Sequence, residues 1–229
     1  MITQNLSIPV GDGNTVSGSL VIPEGRSAEP DMIIILAHGA ANDMNHPLLR
    51  FVADGLARAG YLALRFNFQY SEQGKRSPDP QKKLVQTWTS VCRFATDDLQ
   101  FGIRRIVAAG KSMGGRVASQ MAADGILPAE RLIFLGYPLH APGKTEKLRD
   151  DHLYAITSPM LFFSGTRDTF CRLDLLTPVL AKLKSAWELE VIEGGNHSFD
   201  VPKDAGVSQD DVYRQVLSKI VSWLGQSGS

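Results

Sequence analysis

The chain has 229 residues, 43% of them hydrophobic, and its 24 lysines and arginines balance 24 aspartates and glutamates. The apolar content is enough to bury one α/β core, so the sequence predicts a single domain over 1–229. The balanced charge excludes a broadly basic, nucleic-acid-holding surface as the main role, and the longest apolar runs, such as MIIILA at 32–37, are too short to span a bilayer.

TQNLSIPV and TVSGSLVIP read as two strands joined by the turn GDGN. The later strands are near-continuous apolar runs: MIIILAHG (32–39), YLALRFNF (61–68), RIVAAG (105–110), RLIFLGYP (131–138), MLFFSGT (160–166) and WELEVIEG (187–194). Runs of that kind fit a parallel sheet covered on both faces. Helical stripes alternate with them. Leu48, Val52 and Leu56 follow Pro47, and Gly60 stops that helix. Leu84, Trp88, Val91, Ala95 and Leu99 form a second stripe, and further helices begin near Met113 and Leu173. The last helix carries Val212, Val216, Ile220 and Leu224, with Ser208 and Asp211 spaced as a capping box. The pattern predicts an α/β fold: a mostly parallel central sheet with helices on both faces. The segment from Ala141 to Ser158 is too short for a cap domain.

Gly110-Lys111-Ser112-Met113-Gly114 fits G-x-S-x-G directly after a strand and before a helix rich in small residues. That is the setting of a nucleophile elbow, a tight turn whose crowded neighbours must be small. A phosphate-binding P-loop is excluded, because the required first glycine position holds Arg105. An elbow serine needs a base, and the base needs an orienter. Asp168 in GTRD and His197 in GGNHSF follow strand ends in the order Ser, acid, His. Asp174 is the reserve acid. The oxyanion donors are predicted as the backbone N–H groups of Met113 and Ala40, with His38 structural. Lys111, Asp43, Tyr70 and His140 are the candidate substrate contacts. Lys111 either pairs with a loop carboxylate, Asp43 or Glu72, or attracts an anionic substrate. Loops 40–47, 69–80 and 139–153 should wall a shallow, mixed-polar groove suited to small or polar esters.

No metal or cofactor is expected: His38, His46, His140, His152 and His197 are scattered, and Cys92 and Cys171 lack zinc-like spacing. Two unpaired cysteines and an N-terminus without a signal-peptide pattern predict a cytoplasmic protein with no membrane partner.

The segments HGAANDMNHPL (38–48), RFNFQYSEQGKRSPDP (65–80), AGKSMGGRVAS (109–119), LGYPLHAPGKTEKLRDDHL (135–153), GTRDTF (165–170) and GGNHSF (194–199) together resemble the dienelactone-hydrolase-related branch of the α/β-hydrolases. More closely, they resemble the hydrolase-like domain shared by a testis-expressed protein and a subunit of the NSL histone acetyltransferase complex. The resemblance implies the α/β-hydrolase fold and roles for Ser112, Asp168 and His197. It departs from dienelactone hydrolase itself, whose nucleophile is a cysteine. Several functions compete on this reading. One is a serine carboxylesterase acting on a small-molecule ester; a peptidase, thioesterase or acyltransferase is its close relative. The other class is a non-catalytic interaction protein that keeps the fold.

Overall fold

The computed structural model describes residues 1–11, 13–25 and 31–226. Asp12, in the predicted GDGN turn, lies outside the described residues. The chain opens with an antiparallel hairpin, β1 (Ile2–Gly11) and β2 (Asn14–Ile22). Then follow β3 (Met32–Ala37), α1 (Pro47–Arg58), β4 (Leu62–Phe66), the short α2 (Gln69–Glu72) and α3 (Gln81–Arg93). Next come β5 (Arg105–Lys111), α4 (Met113–Ala123), β6 (Ala129–Leu135), β7 (Met160–Gly165), α5 (Leu173–Leu180), β8 (Trp187–Ile192) and α6 (Gln209–Leu224).

The eight strands form one sheet in the order β1-β2-β4-β3-β5-β6-β7-β8. β2 meets β4 antiparallel, and every pairing from β4 through β3 to β8 is parallel. All six residues of β3 are buried, as a central parallel strand requires. Its alternate residues divide between two cores. Ile33, Ile35 and Ala37 join Trp88 of α3, Val117 of α4 and Leu176 of α5. Ile34 and Leu36 join Leu48 and Val52 of α1 and Val216 and Ile220 of α6. Between β6 and β7 the chain holds an isolated bridge, Ala141 to Lys144, and a 3₁₀ turn, Asp151–Ala155, and no cap domain among the described residues.

One predicted helix ends early, and one short helix is new. The stripe through Leu99 does not continue as α-helix past Arg93: Phe94–Asp98 is a π turn in which Leu99 N–H donates to Phe94 O. The wider turn keeps Ala95 and Leu99 buried while ending the regular i→i−4 ladder. The short α2 had no apolar periodicity to announce it. At α6 the predicted box is present, with Ser208 and Asp211 each capping the other's backbone N–H. Among the described residues no helix is long and apolar enough to cross a membrane.

Candidate active site

Because β3, β5, β7 and β8 run parallel, the turns that follow them gather at one edge of the sheet. Those turns carry Gly39 and Ala40, Ser112, Asp168 and His197, in that order.

Ser112 sits between β5 and α4 at φ 50°, ψ −114°, a backbone region that costs a non-glycine residue about 1–3 kcal/mol. Its neighbours explain why the turn needs glycine. A Cβ on Gly110 would lie 2.2 Å from Gly115 N, and one on Gly114 would lie 2.6 Å from His38 O. Strand and helix therefore touch through backbone, and the serine is held at the tip. Its N–H donates to Leu135 O of β6 at 3.2 Å.

Ser112 Oγ lies 2.8 Å from His197 Nε2, and His197 Nδ1 lies 2.8 and 3.0 Å from the two oxygens of Asp168. The carboxylate can only accept, so Nδ1 carries the imidazole proton and Nε2 is free to receive the serine's. Asp168 is almost wholly buried, and its Oδ1 also accepts the N–H of Phe170 at 2.7 Å. The Phe170 ring lies over His197 with centroids 4.4 Å apart. The histidine loop is clasped from within: Asn196 Oδ1 accepts the N–H groups of Ser198 and Asp200 at 2.8 and 3.0 Å. A hydroxyl hydrogen-bonded to a neutral imidazole, itself held by a buried carboxylate, can lose its proton as it attacks an electrophilic carbon. Asp174, the reserve acid, takes no part: it is exposed on α5 and pairs with Arg172.

Across from the histidine, the loop after β3 passes close over the elbow; a Cβ on Gly39 would lie 3.4 Å from Ser112 Cβ. Ala40 is exposed there, beside Ala41 at φ 57°. Met113 is the first residue of α4, a position whose N–H has no intrahelical partner. His38 beneath the loop is fully buried. The N–H of Phe68 donates to its Nε2 at 3.0 Å, so Nδ1–H donates to Gly39 O at 2.8 Å. Burial lowers its pKa to about 4, which keeps the ring neutral in this bridge.

The remaining sequence-predicted contacts divide. Asp43 is exposed and, with Asn45, His46, Lys75 and Arg76, lines a cleft of about 440 Å³ beside the loop. Tyr70 is corrected: it is fully buried, its hydroxyl donating to Gly39 O at 3.1 Å and its ring packed on Phe68 and His38. A side chain with no accessible surface supports the loop and meets no substrate. His140 is corrected for the same reason: it is buried, with Nε2 accepting the N–H of Arg172 at 3.3 Å and Nδ1 at 3.0 Å from Ala141 O. Lys111 is buried as well and pairs with neither Asp43 nor Glu72. Its Nζ donates to Ser198 Oγ at 3.2 Å, and Glu72 instead accepts from Ser17 and Asn67. Burial lowers the Lys111 pKa, against the pull of Asp200 and Asp168.

Sequence reasoning missed the residues that brace the loop after β3. Asn67 Oδ1 accepts the N–H of Met44 at 2.7 Å, and Arg65 Nη1 donates to Met44 O at 2.7 Å. A signal was present: Arg65 and Asn67 are the two polar interruptions in the apolar run YLALRFNF. Among the described residues no group of three or more His, Cys, Asp or Glu side chains forms a metal site.

Known proteins share this fold. A Mycobacterium tuberculosis protein provisionally named a phosphoribosyl transferase is 25% identical over 189 residues, covering 82% of this chain and 40% of that protein. The matched stretch thus spans 40% of the length of the curated relatives. A dienelactone hydrolase from Anabaena variabilis has the same fold, with TM-score 0.74 and 21% identity over 97% of this chain and 96% of its own. So does a lidless α/β serine hydrolase from Xanthomonas campestris, with TM-score 0.74 and 19% identity over 99% and 97% of the two chains. The family model described as the alpha/beta hydrolase domain matches residues 30–225, and a match over so much of the sequence, on this sheet and around this elbow, means that the chain belongs to the alpha/beta hydrolase domain family.

Proposed function

We propose that the protein is a serine hydrolase that cleaves carboxylic esters through an acyl-enzyme on Ser112. The observation that carries this reading is the unbroken hydrogen-bonded line from Ser112 Oγ through His197 to Asp168, on a serine held at φ 50°. Ser112 Oγ attacks the ester carbonyl carbon while its proton passes to His197 Nε2. Asp168 stabilises the imidazolium and holds its orientation. The oxyanion faces the N–H groups of Met113 and Ala40. Collapse of the intermediate breaks the carbonyl–alkoxy bond, and His197 returns the proton to the departing alcohol. Water then repeats the sequence, giving its proton to His197 and releasing the acid and a free Ser112. The fold likeness to a protein named a serine hydrolase supports this reading. Phosphoribosyl transfer, suggested by the name of the mycobacterial relative, has no use for a hydroxyl activated in this way.

The test is intact-mass labelling with a fluorophosphonate, which reacts with an activated serine. The wild type should gain one adduct, and Ser112→Ala none. His197→Ala and Asp168→Asn should slow labelling by about 10³-fold or more, because the serine loses its base or the base its orientation. A folded wild type that stays unlabelled where a control hydrolase reacts would leave the interaction-protein reading in place.

A further inference from the structure

Lys111 is a costly residue for its position. On β5 it continues the face of Val107 and Ala109, which pack in the α1/α6 core, and it is almost wholly buried. A buried ammonium must recover its lost hydration through hydrogen bonds and opposite charge. Its Nζ donates to Ser198 Oγ at 3.2 Å, across 87 residues of sequence. Ser198 directly follows His197, and Lys111 directly precedes Ser112. The tie therefore joins the strand that ends in the nucleophile to the loop that carries the base. The clasp made by Asn196 shapes that loop internally but does not join it to β5. The charged and titratable groups around the ammonium are Asp168 after β7, Asp200 on the histidine loop and His46 at the N-terminus of α1.

We propose that Lys111 is a positioning residue: by holding Ser198 it fixes the His197 loop against the elbow and keeps His197 Nε2 in line with Ser112 Oγ. The inference rests on the serine-hydrolase reading and adds to it a residue that touches no substrate. It replaces the role of Lys111 as an anion-attracting contact, since the ammonium is spent inside the protein.

Two variants test it. Lys111→Met removes donor and charge while keeping an unbranched chain, an exchange that buried charges commonly tolerate. Ser198→Ala removes only the acceptor. The readouts are the rate of fluorophosphonate labelling of Ser112, kcat and KM on an acetyl ester, and Tm. Each variant should slow labelling on the order of tenfold and lower kcat, with KM within about twofold, because alignment and not ground-state binding is lost. The double variant should be no slower than the slower single one, since both remove the same tie. Labelling of both variants at the wild-type rate would overturn the inference and leave the hydrolase reading intact. So would a slowing that only follows lost Tm, or a fall in kcat/KM carried by KM with kcat unchanged. An unlabelled wild type would overturn both.

Discussion

His38 shows how a single side chain couples the site to pH. Its Nε2 accepts from Phe68 and its Nδ1–H donates to Gly39, so a second proton has nowhere to go without breaking the bridge. Its pKa falls from 6.5 to about 4 on folding. Between those values the unfolded chain binds more protons than the folded one, so this group's contribution is fully present above about pH 6.5 and is lost as pH falls toward 4. His46, also lowered to about 4, acts in the same direction: its Nδ1 accepts the N–H of Leu48 at the start of α1. Stability should therefore drop through this window with a slope from His38 approaching about 1.4 kcal/mol per pH unit. Urea titrations of the wild type and His38→Gln from pH 7 to pH 4.5 check this; equal slopes in the two proteins would contradict it. The structural role of His38 could be read beforehand, because a histidine between an apolar strand and a glycine turn has backbone to bond. The burial of Tyr70 and His140 could not. Both stand in polar-looking stretches of sequence, and whether their polar tips face solvent or a carbonyl depends on chain segments far away in sequence.

Among the elements, the elbow is the most constrained. Its glycines meet backbone, which cannot swing aside as a side chain can. Gly114→Ala would place a methyl 2.6 Å from His38 O and 2.8 Å from Ala37 Cβ, and should cost about 3 kcal/mol or more. Gly125, just past α4 at φ 68° with open space around it, is the matched control; alanine there should cost about 1–2 kcal/mol through backbone strain alone. Chemical denaturation orders the two, and an equal cost would show that the elbow is looser than its geometry indicates. This element was legible from the spacing of small residues around a serine at a strand end. The end of α3 was not, because Ala95 and Leu99 keep helical spacing through a π turn whose extra width leaves no mark in the apolar pattern. The tie between Lys111 and Ser198 was equally hidden, since a lysine beside a nucleophile reads as a surface cation until the depth of its strand is known.

The whole molecule places four turns at one sheet edge and leaves that edge without a cap among the described residues. The parallel character of the sheet and the placing of Ser112, Asp168 and His197 at strand ends were legible because parallel β–α units put every strand's C-terminal end on the same side; the order of the strands was not. The walls were less so, since they are built from loops without periodicity. Asp43, Asn45, Lys75 and Arg76 line a polar, open cleft in and beside the loop after β3. Small or polar acyl groups should therefore be cleaved faster than long chains: kcat/KM should fall from acetyl toward palmitoyl esters, and a steady rise along that series would contradict the open, polar site.

The central claim is that Ser112 carries the acyl group between the two half-reactions. Trypsin releases this serine in the short peptide Ser112–Arg116, between Lys111 and Arg116, so its acylation can be read directly. The protein is mixed with an activated acetyl ester, quenched in acid within the first turnovers and digested. An added acetyl group on that peptide, absent from Ser112→Ala, is the result predicted. Ester hydrolysis at full rate with the peptide unmodified, or with the acetyl group on another residue, would contradict it.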